Sequence, residues 1–161
     1  MVCVHLHHFA GFRIFQNQAA NCGQFELIAI GNLHRDYIMP PTPPPDIDLD
    51  AWRVSEDRIL SWDPDTLFLT HFGPFHGARV HFQEMTERLE GWSRIVRRLL
   101  ADASLDDEQR VQAFMNEALL DLKRKVGELE AERYSRAGRL DYSWQGLSRY
   151  WKKKMDPSRN N

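Results

Sequence analysis

The sequence predicts a mixed α/β (α+β) chain whose C-terminal part is helical. Leu67–His71 is a short, nearly all-apolar run, the pattern of a strand that is covered on both faces. Farther along, apolar residues recur at intervals of three and four, as on one face of a helix: Phe82, Met85, Leu89, Trp92, Val96 and Leu99. From Ser104 to Asn161 the apolar residues keep a helical spacing, so we expect helices alone in this region.

Length, charge and cysteine content limit the class of protein. The chain has 161 residues, enough for one domain of ordinary size. Its 21 Lys and Arg against 23 Asp and Glu give a net charge of −2, which excludes a strongly basic nucleic-acid binder and a strongly acidic tail protein. Cys3 and Cys22 are too few for a disulfide scaffold, so we expect a reducing cytoplasm. The first residues lack a basic signal-peptide start, and no apolar run has the length of a membrane span, so no membrane partner is expected.

The N-terminal region, residues 1–37, is uneven in composition and rich in histidine. Val2–Leu6 and Leu27–Ile30 have the composition of strands, and Gln16–Gly23 is polar without a period, as in a loop. Residues 40–45 then contain five prolines. Each proline fixes φ at about −65° and lacks an N–H, so this segment is expected to be an extended connector.

Helix signals dominate from Asp48 onward. Asp48 is expected to cap a helix over Ala51–Ser61, and Phe72–Gly77 is expected to be a turn-rich loop. Ser104, which acidic residues follow, is expected to cap a later helix that ends near Gly138. Buried positions on that helix are predicted for Val111, Phe114 or Met115, Ala118, Leu122, Val126 and Leu129. A short aromatic helix is predicted around Trp144, Leu147, Tyr150 and Trp151.

Histidines are the main candidates for chemistry. His71 lies at the end of the predicted strand, before a Gly-Pro turn, and ligands of α/β sheets gather at strand ends. Neutral imidazole is a common zinc ligand, so His71 is a candidate metal ligand; the alternative is a histidine that only forms a hydrogen bond in its loop. On a strand over Val2–Leu6, His5 and His7 would face the same side and could share a metal; the alternative is that these histidines are exposed.

Other polar groups have simpler explanations. His76 and His81 are spaced five apart and are expected to be solvated. The two cysteines lack zinc-knuckle or C-x-x-C spacing, and no G-x-S-x-G, P-loop or dinucleotide glycine motif occurs. Lys152–Lys154, beside aromatic residues, is compatible with RNA contact. Because the net charge is −2, a solvated helix end is favoured, and no nucleic-acid partner is expected.

Several separated motifs follow one another in a characteristic order. They are PPTPPPDIDLDAW (Pro40–Trp52), DTLFLTHFGP (Asp65–Pro74), an L-x-x-W pair (Leu89, Trp92) and GLSRYWKK (Gly146–Lys153). In this order they resemble the C-terminal half of metallo-β-lactamase-fold hydrolases, in the branch whose helical extension ends in G-L-x-R-Y-W-x-K. The resemblance covers about residues 36–154.

The resemblance implies a partial αββα sandwich over residues 1–101, of which 1–37 match poorly, followed by an all-helical extension over residues 102–161. It also implies a metal-dependent hydrolase that acts on a small molecule, with zinc or another divalent metal as cofactor. In that family the histidine of T-H-F-G-P is the last metal ligand, a role that falls on His71. Esters, thioesters, lactams and phosphodiesters are all substrates on this fold, so the substrate class stays open.

The chain departs from the family in its first half. The signature H-x-H-x-D-H is absent, and His5-Leu6-His7-His8 resembles a shortened form of it without the aspartate. In a second alignment, Ala10–Ile14 resembles the segment that precedes the family's proline run, which places His8 where a bridging carboxylate belongs. His8, His7 and His5 are thus further candidate ligands, and no catalytic base is assigned. A truncated or diverged copy is expected; the alternative is a non-enzymatic interaction protein, such as a homodimer.

Overall fold

The computed structural model describes residues 2–5, 13–16, 37–40, 42, 47–69 and 73–156, with the backbone alone for 2–5 and 13–16. Four strands and five helices lie in this part of the chain. They are β1 (Val2–His5), β2 (Arg13–Gln16), α1 (Leu49–Leu60), β3 (Thr66–Leu69), β4 (Gly73–His76), α2 (Ala78–Ala101), α3 (Asp107–Val126), α4 (Glu128–Gly138) and α5 (Leu140–Met155). The predicted strand Leu27–Ile30 and most of the predicted loop Gln16–Gly23 lie outside the described residues.

The chain forms two compact units. The sheet unit comprises residues 1–32 and 48–84, and the helical unit comprises residues 33–47 and 85–161. The boundary between residues 84 and 85 falls inside α2. Each unit is therefore assembled from two separate stretches of sequence.

The four strands form one sheet in the order β2-β1-β3-β4. β1 pairs in parallel with β3 and antiparallel with β2, and β3 pairs antiparallel with β4. The predicted strands at Val2–Leu6 and Leu67–His71 are thus confirmed over Val2–His5 and Thr66–Leu69. Leu67 in the inner strand β3 is fully buried, as its apolar surroundings in sequence predict.

The loop predicted over Phe72–Gly77 is wrong for Gly73–His76, which form strand β4. Pro74 lies opposite Phe68 in this strand. A proline has no N–H to donate to a neighbouring strand. Among the described strands, β4 lies at the edge of the sheet, where half of the backbone groups do not pair with another strand, so a proline is tolerated. The Gly-Pro pair therefore occupies a strand that its composition does not predict.

Helix α1 has the cap that the sequence predicts. The Asp48 carboxylate accepts hydrogen bonds from the N–H groups of Asp50 at 3.0 Å and Ala51 at 3.2 Å. These bonds satisfy donors that have no partner within the first turn of a helix. The helix ends at Leu60, close to the predicted end.

The apolar stripe predicted for α2 is confirmed. All six of its residues are at most 5% exposed: Phe82, Met85, Leu89, Trp92, Val96 and Leu99. The arginines of this helix lie off that stripe, so α2 is amphipathic. None of the described helices, including the 24 residues of α2, is long and apolar enough to cross a membrane.

The helical region predicted after α2 is confirmed for the described residues up to 156, but its internal boundaries differ from the prediction. The cap of α3 is Asp106, not Ser104: its carboxylate accepts from the Gln109 N–H at 2.8 Å, and the Gln109 side chain accepts from the Asp106 N–H at 2.9 Å. Gly127, at φ 81°, ends α3 where the spacing predicts a continuous helix. Glycine suits this backbone because a side chain would be strained there. Leu129, just beyond it, is 68% exposed, so its predicted burial is wrong.

Aromatic rings form the centre of the helical unit. The Phe114 ring lies 5.8 Å from the Trp92 ring and 5.8 Å from the Trp144 ring, between centroids. Phe114, Leu122 and Leu147 are fully buried. The predicted aromatic helix is confirmed as α5, and Trp144 packs from it against Phe114.

A segment without regular structure, residues 37–40 and 42, completes this core and is called the strap below. Tyr37, Ile38, Pro40 and Thr42 are all buried. The side chain of Met39 occupies the space that a β-carbon on Gly138 would need. The described part of the predicted proline connector is therefore packed into the helical unit, while Pro41 and residues 43–46 lie outside the described residues.

The partial αββα sandwich expected from the resemblance is wrong. The described residues are mostly helical, their strands have four residues each, and all of these strands belong to one sheet. A sandwich of that type needs a second sheet packed face to face on the first. The apolar stripes from Met85 onward are instead buried in the core of the helical unit, where helices and strap pack together.

Candidate metal centre

The candidate site is the edge of the sheet where β1 and β3 end, called the carboxyl edge below. The two strands run in parallel, with Val2 opposite Leu67 and Val4 opposite Leu69. Parallel neighbours end on the same side of a sheet, and this is the side at which open α/β sheets bind ligands. His5 is the last residue of β1 and lies one step beyond the last β1–β3 pair.

In the sequence, the predicted metal ligands stand at or shortly after the ends of β1 and β3. His5 is described through its backbone alone. His7, His8 and His71 lie outside the described residues, two and three positions after the end of β1 and two positions after the end of β3. The parallel pairing thus brings together the two strand ends that precede these histidines.

The described side chains do not form a metal site by themselves. Within that part of the chain, no three His, Cys, Asp or Glu side chains form a group that could hold a metal ion. A catalytic zinc ion normally has three protein ligands and one open position. A complete ligand set at the carboxyl edge therefore has to include side chains beyond those described.

His76 is the histidine of the sheet whose side chain is described. It lies on β4 opposite Thr66, and its Nδ1 is 3.0 Å from the Thr66 hydroxyl, within hydrogen-bond distance. The side chain is exposed, which confirms the predicted solvated position. His76 is not a predicted metal ligand, so its replacement is a suitable control for the replacement of His71.

His81 is buried, and its predicted solvation is wrong. It is 5% exposed, and its ring packs edge-on against Phe75 at 4.6 Å and Phe82 at 5.7 Å, between centroids. The helix period contains the missed signal. His81 is three residues after Ala78 and four before Met85, both of which are buried, so it shares the apolar face of α2.

The helical unit contains a partly buried polar contact that no sequence motif indicates. The Tyr37 hydroxyl of the strap donates a hydrogen bond of 2.9 Å to the Asp121 carboxylate of α3. Burial raises the pKa of Tyr37 above its usual range, and the negative charge of Asp121 raises it further, while the Arg88 guanidinium opposes this. Arg88 lies 4.3 Å from the centre of the Tyr37 ring and donates to the Ile38 carbonyl at 3.4 Å. Tyr37 and Asp121 are 84 positions apart, so spacing does not link them.

Comparisons of the chain with protein-family models, with curated proteins and with solved structures find no match. The family resemblance therefore rests on the sequence motifs alone. The structure describes Pro40, Thr42 and Ile47–Trp52 from the first motif, and Asp65–Leu69 and Gly73–Pro74 from the second. It also describes both residues of the L-x-x-W pair and the whole of Gly146–Lys153, which lies in α5.

Proposed function

We propose that the chain binds zinc or another divalent metal ion at the carboxyl edge and catalyses metal-assisted hydrolysis of a small molecule. His71 is the main proposed ligand, and His8, His7 and His5 are the further ones. The parallel pairing of β1 with β3 carries the proposal, because four of the chain's seven histidines stand in sequence at the end of these two strands or within three residues after it. The proposal does not depend on an αββα sandwich.

Chain length supports the proximity of these histidines. His8 follows the end of β1 by three residues, and His71 follows the end of β3 by two. A fully extended chain advances at most about 3.6 Å per residue, so the α-carbon of each histidine is at most about 11 Å from the last residue of the strand before it. Neighbouring strands of a sheet are about 4.8 Å apart, which keeps both segments within reach of one small site.

The donor chemistry also fits. Imidazole nitrogen suits zinc, and four histidines exceed the three protein ligands that a catalytic site needs. Zinc in such a site polarises the scissile group and lowers the pKa of a bound water toward about 7. The histidines would hold the ion as neutral imidazoles, so metal affinity should fall as the pH drops below about 6.5. A general base is not assigned, because the aspartate of H-x-H-x-D-H has no counterpart.

Metal content tests this proposal directly. The full chain is purified, and its bound metal is measured by mass spectrometry for the wild type, for His71→Ala and for His76→Ala as the matched control. We expect about one or two equivalents of zinc in the wild type and in His76→Ala, and a loss of most of it in His71→Ala. His76 is exposed on β4 and is not a proposed ligand, so this control separates a specific ligand from a general histidine effect.

Hydrolysis is then measured on ester, thioester, lactam and phosphodiester substrates, before and after removal of metal with a chelator. Activity that is lost on chelation and restored by zinc supports the proposed reaction. A stably folded, metal-free and oligomeric wild type contradicts it and favours the alternative, a non-enzymatic interaction or dimerisation protein. Cytoplasmic location is part of the same proposal. A homodimer belongs to the alternative, and size-exclusion chromatography tests it.

A further inference from the structure

Trp151 joins the end of α5 to α2 within the helical unit. Its indole N–H donates to the Ser93 carbonyl at 3.1 Å and is 3.0 Å from the Ser93 hydroxyl. The Arg97 guanidinium lies 5.0 Å from the centre of the Trp151 ring, a cation–π distance. The basic residues around Arg97 are therefore next to those around Trp151.

These two segments carry positive charge without acidic residues. Residues 91–101 and 142–155 contain no Asp or Glu. They carry seven basic residues, all exposed, which together are called the basic surface: Arg94, Arg97, Arg98, Arg149, Lys152, Lys153 and Lys154. On α2, positions 94, 97 and 98 share one face, and on α5 positions 149, 152 and 153 do the same. The chain as a whole has a net charge of −2, so its positive charge is concentrated here.

Acidic side chains next to the basic surface reduce its charge only in part. Glu90 lies 3.8 Å from Arg94, Glu117 lies 2.6 Å from Arg98, and Asp156 caps the end of α5. The Arg94 side chain is 73% exposed, and its ion pair with Glu90 is of the weak surface kind. Arg98 is held more firmly, because it donates to both carboxylate oxygens of Glu117. The two segments thus combine seven basic side chains with no acidic one of their own.

We propose that the basic surface binds the phosphate backbone of nucleic acid without reading its sequence. Guanidinium groups bind phosphate through two parallel hydrogen bonds, and lysines add point charges. The apolar face of α5, with Leu140, Trp144 and Leu147, is buried in the helical unit. A helix that lies on a membrane needs such a face for the lipid, so an anionic membrane is the less favoured partner. This activity is independent of the proposed metal site.

The test measures binding of a fluorescein-labelled single-stranded oligonucleotide to the full chain by anisotropy, at rising salt concentration. Lys152→Gln/Lys153→Gln removes two charges from the basic surface. Arg124→Gln/Lys125→Gln is the matched control, because it removes two exposed charges from the end of α3 and leaves the basic surface intact. Circular dichroism verifies the folding of each variant, and the single variant Lys152→Gln provides an intermediate step.

We expect the wild type to bind at low salt, and affinity to fall about tenfold in the Lys152/Lys153 variant. The slope of log affinity against log salt should become shallower by about 1.4, at about 0.7 for each lost contact with a single strand. The control should stay within about twofold of the wild type. The proposal is overturned by absence of wild-type binding at low salt, or by equal losses in both double variants. It is also overturned if phosphatidylserine vesicles bind more tightly than the oligonucleotide and Lys152→Gln/Lys153→Gln abolishes that binding.

Discussion

Replacing Tyr37 by Phe tests the polar contact between the strap and the helical unit. The variant removes the hydroxyl that donates to Asp121 at 2.9 Å. It keeps the ring, which packs edge-on against Tyr134 at 5.6 Å and lies under the Arg88 guanidinium. The change in stability therefore reports on one hydrogen bond.

The magnitude follows from burial and charge. Tyr37 is 4% exposed, and its partner is a carboxylate that remains partly exposed. Hydrogen bonds to charged groups contribute about 1.5–3 kcal/mol, and the solvated side of Asp121 favours the lower end. We expect Tyr37→Phe to lower the free energy of unfolding by about 1.5 kcal/mol at neutral pH.

The difference should also depend on pH, with a definite sign. Burial and then Asp121 raise the pKa of Tyr37 in the folded state, whereas an unfolded tyrosine titrates near pH 10. The folded state therefore keeps a proton that the unfolded state loses. This stabilisation is fully present below about pH 10 and decreases by about 1.4 kcal/mol per pH unit above it. At about pH 11 the wild type and Tyr37→Phe should be nearly equal in stability.

Urea unfolding of both proteins, followed by tryptophan fluorescence at about pH 7, 9 and 11, measures this difference. Groups that titrate in both proteins cancel in the comparison. Tyr142→Phe is the control, because Tyr142 is 41% exposed and its loss should change stability by less than about 0.5 kcal/mol at neutral pH. A difference between wild type and Tyr37→Phe that stays constant from about pH 9 to 11, or that is absent at neutral pH, would refute the assigned hydrogen bond.

Three further variants test other parts of the fold by urea unfolding. Asp106→Ala removes the capping box of α3 and should cost about 1 kcal/mol, with Ser104→Ala unchanged within about 0.5 kcal/mol; the reverse order would contradict the cap. Phe114→Ala leaves a cavity between Trp92 and Trp144 and should cost about 3–5 kcal/mol; a loss below about 1 kcal/mol would exclude this core. Leu129→Gln should change stability by less than about 0.5 kcal/mol because Leu129 is 68% exposed. A large loss of stability would indicate that Leu129 is buried, as the helical spacing predicts.

Much of the secondary structure could be predicted because it depends on neighbours in sequence. The apolar period of α2 and the Asp48 cap of α1 are set by residues a few positions apart, and both predictions are confirmed. The period did not reveal the break at Gly127, because one glycine also occurs inside continuous helices. The sequence predicts a loop in place of strand β4 because a Gly-Pro pair is typical of turns. Only the pairing with β3 makes this segment a strand.

The candidate site divides in the same way. The sequence alone shows the histidines at or near the ends of two predicted strands, with His71 as the last residue of one of them. That β1 lies beside β3, parallel to it, depends on contacts across more than 60 residues, which local patterns do not encode. The predicted αββα sandwich is wrong for a related reason. Motifs typical of a sandwich do not specify which surface covers an apolar face, and here the apolar faces of the helices are buried against one another.

The sequence by itself determined which stretches are helical and amphipathic, where α1 begins, and which residue types are available for metal chemistry, because these depend on composition and short-range spacing. Tertiary structure alone decided the strand order, the Tyr37–Asp121 hydrogen bond and the joining of α5 to α2 through Trp151. Each of these needs residues far apart in the chain to meet. Such contacts form when the burial of apolar surface outweighs the entropy lost on closing the intervening loops.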